Sequence, residues 1–398
     1  MINGVHGSPY RWLNLPAAEL RGIFKCTKFS PVGIPAFRSR AARVVPAMHL
    51  RDSPGMKDIK ALSADELSEL MAQWGHPRYR ASQILRWLYQ RRTLDFQGMS
   101  DLPAAFRQSL GERFIIGRLK IAGRERSPDG TRKFLIELED ASYIESVLIP
   151  DGDRLTACIS SQVGCPLGCE FCRTGEGGCK RNLQRQEIVG QVLALVEELE
   201  EGERISNLVF MGMGEPLLNL KEVKEALRLF LNKDAFGFSP RRITLSTVGL
   251  PPALAEVGRW GLKVKMAISL NAADDATRSA LMPINRRFPL SELLSACRAF
   301  PLPRGQRITF EYVMIQGVND RVRDAEALAR LLRGLPCKVN LIPFNEWPGS
   351  RLHAPSLEAM EAFQRALLDR HFTALVRKSK GADISAACGL LVGRSLNP

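Results

Sequence analysis

The sequence predicts an α/β protein built around a partial barrel of six strand–helix units, written (β/α)6. From about residue 154 onward, short apolar runs rich in β-branched residues alternate with amphipathic helical stretches, which is typical of a parallel sheet. Polar and glycine-rich segments then follow successive strands at the same end, where barrels of this kind place their chemistry. We expect a small helical domain and a short β region to precede the barrel.

Six stretches supply the predicted barrel strands, and amphipathic stretches between them supply the helices. The strands are Leu155–Ser160, Ser206–Met211, Arg242–Ser246, Lys263–Leu270, Arg307–Ile315 and Lys338–Pro343. Predicted helices include Arg185–Leu199, Leu220–Leu231, Leu290–Ala299 and Arg323–Leu332. These units define a barrel domain over residues 151–383, followed by a C-terminal segment over 384–398.

Two smaller regions are expected before the barrel. Residues 58–117 read as a helical accessory domain, because the capping-box pattern from Ser63 to Glu66 precedes apolar residues at helical spacing. Its basic residues, such as Arg78 and Arg86, are expected to contact RNA phosphates, with a solvated helix surface as the alternative. Residues 118–150 change to alternating β-like runs around the turn signals 127–130 and 140–141, which predicts a β-hairpin region.

The first 57 residues form a basic extension without sustained periodicity. They hold nine basic and two acidic side chains, which is half of the net charge of +14. Three interpretations are open: a basic RNA-binding arm, an organelle transit peptide, or an upstream extension from a wrongly assigned start. We favour a disordered extension or a wrong start, with Met48 and Met56 as alternative starts, and assign no function to it.

Charge and cysteine content restrict the class of protein. A pI near 9.6 favours a polyanionic partner such as nucleic acid, with a solvated basic surface as the alternative. No apolar run approaches the roughly 18 residues of a membrane span, so no membrane partner is expected. Nine cysteines, four of them within residues 165–179, do not form the pattern of a secreted disulfide scaffold, which predicts a cytoplasmic protein.

The strongest chemical signal is the C-x3-C-x2-C spacing of Cys165, Cys169 and Cys172. Three neighbouring thiolates can hold three irons of a [4Fe-4S] cluster and leave the fourth iron open to a ligand. A structural zinc site is the alternative, but such sites usually take paired ligands from two separated segments. The spacing therefore favours an open cluster that binds and reduces S-adenosylmethionine.

Further polar residues and a glycine lie at the predicted strand ends, where an active site would need them. They are Gly214 and Glu215 after the second strand, Ser246 at the end of the third, Ser269 and Asn271 at the end of the fourth, and Asn345 after the sixth. Glu145 shares an apolar strand face with Val147, so it either points into a site or caps an edge strand. Taken alone, the isolated Cys158 and Cys388 read as small buried hydrophobes.

These motifs together resemble the dual-specificity RNA methyltransferases of the RlmN type, which are radical S-adenosylmethionine enzymes. The likeness covers about residues 58–393 and includes the cysteine triad, the segment from Met211 to Asn219, and the Ala386-Ala387-Cys388-Gly389 ending. The resemblance implies a radical-SAM barrel and one [4Fe-4S] cluster on Cys165, Cys169 and Cys172. It further implies S-adenosylmethionine contacts from Gly214, Glu215, Ser246, Ser269, Leu270, Asn271 and Asn345.

The resemblance also assigns roles to three further side chains. Cys388 would carry the methyl group, Glu145 would be the proton acceptor, and Cys158 would release the product by closing a disulfide with Cys388. Two S-adenosylmethionine molecules would be used per turnover to methylate carbon-2 of an adenosine in 23S rRNA and in tRNA. An electron donor such as flavodoxin and a monomeric state are expected with it.

Two other functions remain open from the sequence. One is the carbon-8 methylation of adenosine by the related antibiotic-resistance enzymes, which share the cluster and both mechanistic cysteines. The other is a non-catalytic iron–sulfur module that binds RNA, for which the Cys388 ending would have no purpose.

Overall fold

The computed structural model describes residues 56–393 and confirms the predicted α/β fold class around one sheet of ten strands. Expectations for residues 1–55 and 394–398 lie outside the described residues. The strands of this sheet are β3 Lys120–Arg126, β4 Arg132–Glu137, β5 Tyr143–Asp151, β6 Arg154–Cys158, β9 Asn207–Phe210, β10 Ile243–Thr247, β11 Lys265–Ser269, β12 Ile308–Met314, β13 Cys337–Pro343 and β14 Ala374–Val376. They lie side by side in the order β14-β13-β12-β11-β10-β9-β6-β5-β4-β3.

The parallel part of the sheet runs from β6 through β9 to β14. All six predicted barrel strands are present. Because β3 and β14 are edge strands, the barrel is partial. β14 was not predicted, since a three-residue strand with two exposed residues gives almost no periodic signal.

Seven helices accompany the parallel strands within residues 56–393, and their apolar faces pack on the outside of the sheet. They are α4 Arg185–Glu197, α5 Leu220–Leu231, α6 Pro251–Arg259, α7 Asp275–Leu281, α8 Leu290–Ala299, α9 Val322–Leu331 and α10 Leu357–Leu368. On β13, Val339 and Leu341 are fully buried in the core under these helices. Side chains alternate along a strand, so Lys338 and Asn340 point the other way, into the barrel lumen.

The region before the barrel contains helices and antiparallel strands. The helices are α1 Ala64–Gln73, α2 Tyr79–Leu85 and α3 Ala104–Arg113, with the predicted capping box of Ser63 and Glu66 at the start of α1. Two short strands, β1 Lys57–Asp58 and β2 Phe114–Ile115, pair in parallel across this region. β3 and β4 form an antiparallel hairpin around the turn at 127–130, and β5 pairs antiparallel with β6, so the β region is continuous with the barrel sheet.

Two short strands outside the main sheet frame the cysteine stretch. They are β7 Gln162–Gly164 and β8 Cys179–Asn182, which pair antiparallel with each other. No helix among residues 56–393 has the length and apolar character that a membrane crossing requires.

Candidate active site

The three predicted cluster cysteines lie on the loop between β7 and β8, just beyond the end of the first parallel strand. The amide of Cys165 donates to the carbonyl of Gly178 (2.8 Å), and the amide of Cys172 donates to the carbonyl of Cys169 (3.0 Å). Gly164 adopts φ +79°, and a Cβ there would collide with the Gly178 carbonyl, so only glycine fits this entry to the loop. The backbone therefore fixes where the three thiols stand.

The thiols of the loop influence one another electrostatically. Burial raises the pKa of Cys165, Cys169 and Cys172. The neighbouring Cys172 and Cys169 charges raise the pKa of Cys165 further. Thiolates packed this closely without compensation are unfavourable, and a bound metal centre deprotonates such ligands. Among residues 56–393, no group of three or more His, Cys, Asp or Glu side chains could hold a single metal ion. A three-cysteine donor set on a rigid loop fits an iron–sulfur cluster with one open iron.

The described part of the C-terminal segment, residues 384–393, runs along this loop and is anchored to it. The amide of Arg173 donates to the carbonyl of Gly389 (2.7 Å), and the Thr174 hydroxyl donates to the carbonyl of Leu391 (2.7 Å). Gly389 has φ +85°, and a Cβ there would lie 2.8 Å from the Phe171 carbonyl oxygen. This close approach places Cys388 beside the cysteine loop although the two are far apart in sequence.

Cys388 and Cys158 are brought together across the top of the barrel. Cys158 ends β6, where it is buried among lumen and core residues. Burial raises the pKa of its thiol and the charge of Cys388 raises it further, while Arg377 lowers it. Cys388 is exposed, so it is not the buried hydrophobe that an isolated cysteine suggests, and the charges that act on it are those of Arg377, Glu311 and Cys172. The two isolated cysteines thus share one electrostatic environment with the cluster loop.

Glu145 is buried on β5, and its carboxylate holds the end of the C-terminal segment. Its Oε2 accepts hydrogen bonds from the amides of Val392 (2.6 Å) and Gly393 (3.1 Å), and its Oε1 lies 3.4 Å from Lys133 Nζ. The sequence left open whether this residue faces a site or caps an edge. In the structure it lies inside the sheet, on a strand paired on both sides, and contacts the segment that carries Cys388.

The residues expected to contact S-adenosylmethionine lie at the carboxyl ends of the strands, but they are not equivalent. Glu215 accepts hydrogen bonds from the amides of Leu217 (2.8 Å) and Val248 (2.9 Å), and burial raises the pKa of its carboxyl to about 7. Gly214 has φ +99°, and a Cβ there would lie 2.6 Å from Gln162 Cβ, so the position requires glycine. Ser246 and Ser269 are half-buried at the ends of their strands.

The side chains of two of these residues make hydrogen bonds within the protein itself. Asn271, with φ +63°, accepts from the amide of Val313 (2.9 Å) and donates toward Met282 Sδ (3.3 Å). Asn345 donates to the carbonyl of Cys388 (3.0 Å) and accepts from the Ser379 hydroxyl (2.6 Å). Leu270 is fully buried. The side chains of Asn271 and Asn345 therefore shape the site, and a ligand would meet mainly the backbone at Leu270.

Sequence reasoning missed Arg278, which is 1% exposed at the centre of the strand-end loops. Its guanidinium donates to the carbonyls of Val248 (2.8 Å), Ser269 (3.3 Å) and Leu270 (3.0 Å), and to Asn285 Oδ1 (2.9 Å). Burial lowers its pKa to about 10, and the neighbouring Cys169 raises it. An arginine on a helix usually reads as a surface residue, so only the three-dimensional path of these loops reveals this one.

The fold and the cysteine loop define a radical S-adenosylmethionine enzyme, and comparisons with known proteins agree. The family model of the radical SAM superfamily matches residues 159–332, and that of the ribosomal RNA large subunit methyltransferase N-terminal domain matches residues 57–116. A crystal structure of a radical SAM methyltransferase from Sphaerobacter thermophilus is 44% identical and has a TM-score of 0.80, over 85% of this chain and 100% of that one.

Two curated relatives specify the family within this superfamily. The dual-specificity RNA methyltransferase RlmN of Geotalea uraniireducens is 51% identical over 85% of this chain and 97% of its own length. That of Geobacter sulfurreducens is 52% identical over 85% of this chain and 93% of its own length. The chain belongs to the RlmN family of dual-specificity RNA methyltransferases.

Proposed function

We propose that this protein methylates carbon-2 of an adenosine in 23S rRNA and of an adenosine in tRNA through a methylated Cys388. The observation that carries the proposal is the C-terminal segment, which holds Cys388 beside both the cysteine loop and Cys158. Carbon-2 of adenine is electron-poor and has no lone pair, so a direct transfer from a sulfonium is not feasible. A carrier thiol next to a radical source answers this difficulty.

The cofactors follow from the superfamily and from the donor set. Cys165, Cys169 and Cys172 would hold one [4Fe-4S] cluster, which supplies the electron that cleaves S-adenosylmethionine. Gly214, Glu215, Ser246, Ser269, Leu270, Asn271 and Asn345 would line the S-adenosylmethionine site. Two S-adenosylmethionine molecules would be used per turnover, one as methyl donor and one as radical source.

The chain's own side chains take the remaining roles. The Cys388 thiolate accepts a methyl group from the sulfonium, so a carbon–sulfur bond forms as S-adenosylhomocysteine leaves. After the carbon has joined the base, Glu145 takes the carbon-2 proton, and its contacts with Val392 and Gly393 support placing it beside the substrate. The Cys158 thiolate then attacks Sγ of Cys388, forming a disulfide and breaking the bond to the product.

RNA is the proposed macromolecular partner, and the region over residues 58–117 is proposed to contact it. Exposed arginines there could reach phosphates, among them Arg78, Arg91 and Arg92. We further propose that the protein acts in the cytoplasm as a monomer and receives electrons from a donor such as flavodoxin.

One experiment tests the proposal as a whole. The protein is loaded anaerobically with iron and sulfide and supplied with methyl-labelled S-adenosylmethionine, a reductant, and 23S rRNA or tRNA, and the modified base is identified by mass spectrometry. We expect 2-methyladenosine. A carbon-8 product would favour the related resistance activity, and no methylated adenosine from a fully loaded protein would contradict the proposal.

A further inference from the structure

Basic side chains collect at the amino ends of the parallel strands, which is the end of the barrel opposite the active site. Five of them form what we call the amino-end cluster: Arg154 on β6, Arg242 just before β10, Lys265 on β11, Arg307 just before β12 and Lys338 on β13. A seven-residue strand such as β13 spans about 20 Å, so the cluster lies far from the cysteine loop. The function proposed above gives it no role.

The sheet register directs the cluster into the lumen. Lys338 pairs with Thr309, and Thr309 pairs with Ala267, so these three residues share one face of the sheet. Side chains alternate along a strand, so Lys265, two positions before Ala267, lies on the same face. The lysines of β11 and β13 therefore face the same opening.

The cations of the cluster act on one another and have few acidic partners. Burial lowers the pKa of Lys265, and the charges of Lys338, Arg242 and Arg154 lower it further. Among residues 56–393, Arg154 is the one member of the cluster with an ion pair, at 3.6 Å from Asp151. Like charges held together without counter-charges cost free energy, which a bound anion would offset.

The acid of the lumen lies deeper than the cluster. Glu311 and Asn340 are register neighbours, one layer nearer the carboxyl ends than Thr309 and Lys338. Burial lowers the pKa of Lys338, and the Glu311 charge raises it. The carboxylate of Glu311 already accepts a hydrogen bond from Asn340 (3.0 Å). A ligand that arrives at the amino end would therefore meet the cations first.

A cavity of about 360 Å³ continues the basic surface beyond Arg307. Its lining includes four further basic side chains: Arg330, Arg333, Arg370 and His371. Some of these stabilise helix ends, as Arg370 does by donating to the carbonyl of Ala366 (2.9 Å) at the end of α10. That role does not explain the amino-end cluster, whose members stand at the beginnings of strands.

We propose that the amino-end cluster and the adjoining cavity bind backbone phosphates of the RNA substrate, as a second RNA contact at the end of the barrel opposite the active site. Phosphate contacts position a nucleic acid without reading its sequence. The cluster would thus add affinity for RNA and take no part in the chemistry. This assignment rests on the proposed function in that it takes RNA as the partner.

The extent of the cluster favours a nucleic-acid backbone over a small anion. From β6 to β13 the sheet order counts five strand spacings, and at about 4.8 Å each they cover about 24 Å of sheet. One phosphate group cannot contact such a row, whereas a nucleic-acid strand carries a phosphate about every 3.4 Å along its axis. Four of the five side chains are exposed, while small ligands are usually enclosed.

The first test removes two charges from the cluster. Binding of an unmodified tRNA transcript to wild-type protein and to Arg242→Gln/Lys265→Gln is measured by filter retention between about 50 and 200 mM salt. Each lost phosphate contact lowers the slope of log affinity against log salt by about 0.7–0.9, so we expect a slope smaller by about 1.4–1.8 and roughly tenfold weaker binding.

A matched variant separates a local contact from a general effect of charge. Arg124→Gln/Arg126→Gln removes two exposed cations from the edge strand β3, where each forms an ion pair. We expect its affinity and salt slope to remain those of the wild type. An equal loss in both double variants would overturn the proposal, and so would an unchanged slope in Arg242→Gln/Lys265→Gln.

The second test needs no substitution. Lysines of the wild-type protein are acetylated with and without the tRNA transcript, and the modified peptides are quantified by mass spectrometry. RNA should slow the acetylation of Lys265 and Lys338 several-fold and leave exposed Lys120 on β3 unaffected. Equal rates with and without RNA would contradict the proposal. Protection by pyrophosphate but not by tRNA would show a site for a small phosphate ligand, which also overturns it.

Both tests stay informative whatever happens to the proposed function. They contain no S-adenosylmethionine, cluster or reductant, so a protein that methylates another carbon of adenosine, or none, can still show this contact. Conversely, a protein that forms 2-methyladenosine but shows no protection of Lys265 would keep its proposed function and lose the second RNA contact.

Discussion

The side-chain amide of Asn345 donates a hydrogen bond to the backbone carbonyl of Cys388 at 3.0 Å. A residue expected to touch the cofactor thus holds the backbone of the proposed methyl carrier. Asn345 follows the end of β13, so its hydrogen bond ties the C-terminal segment to the rim of the barrel. The relationship adds a side-chain anchor at Cys388 itself to the anchors at Gly389 and Leu391.

Replacing Asn345 with alanine should loosen Cys388. We expect the backbone amides around Cys388 to exchange hydrogen several-fold faster, because the segment opens more often once the bond is lost. The rate is measured by mass spectrometry on protein without cluster. Glu346→Gln, at the next residue, is the control, and an equal rate in both variants would contradict a positioning role.

Glu145→Gln should release the end of the C-terminal segment. Bonds to a charged acceptor contribute about 1.5–3 kcal/mol, so the amides of Val392 and Gly393 should exchange hydrogen at least tenfold faster. Hydrogen exchange read by mass spectrometry measures this. Glu137→Gln, at a surface ion pair on β4, should leave the exchange unchanged. If both variants behaved alike, the carboxylate would not be the anchor.

Arg278→Leu should destabilise the fold strongly. Three buried acceptors and the half-buried carbonyl of Ser269 would lose their donor. Each unsatisfied buried group costs about 1–3 kcal/mol, so we expect a loss of at least about 3 kcal/mol in the free energy of unfolding. Urea unfolding measures it. Arg298→Leu, on the exposed side of α8, should change it by less than about 0.5 kcal/mol. A loss as small as the control's would show that the loops do not depend on this guanidinium.

Glu215 should make stability depend on pH. Burial raises the pKa of its carboxyl to about 7 from 4.5, so the folded state binds the proton more tightly. Its contribution is therefore complete below about pH 4.5 and is lost as the pH rises toward 7. Between pH 5 and 7.5, wild-type protein should lose stability relative to Glu215→Gln, by about 3 kcal/mol at most. Parallel pH profiles of the two proteins would refute the assignment.

Cys158→Ala should trap the covalent protein–RNA adduct, because no thiolate remains to attack Sγ of Cys388. Denaturing gel electrophoresis with labelled RNA detects the adduct. Cys337→Ala, which removes another buried cysteine of the barrel, should release product normally. Cys388→Ala should form no adduct at all, and an adduct that still formed in that variant would exclude Cys388 as carrier.

The periodicity of the sequence predicted the barrel because core residues dominate its strands. Each predicted strand, such as Lys338–Pro343, carries fully buried residues at every second position, and this alternation is local information. β14 lacks this alternation, since only Ala374 of its three residues is buried. The register that joins Glu311 to Asn340 is a pairing between distant segments, which periodicity does not encode.

The site was predictable only where residues cluster in the chain. The spacing of the three loop cysteines, Cys165, Cys169 and Cys172, identified them from the sequence alone. A role for Cys388 could be assigned only through the family resemblance. Arg278 carried no signal, because its burial arises from chain segments at the ends of two different strands, β10 and β11. Contacts of Glu145 with Val392 depend likewise on where the chain end returns, which is a property of the completed fold.

The position of the chain end across the cysteine loop has a consequence for the order in which the protein is made. Thr174 and Leu391 are 217 positions apart, so a nascent chain displays its cysteine loop long before the residues that later lie across it have been synthesised. Until then the loop is open on the side that Gly389 finally approaches. A cluster inserted before the chain end returns would meet no barrier on that side, whereas insertion into the finished fold would require the chain end to lift away.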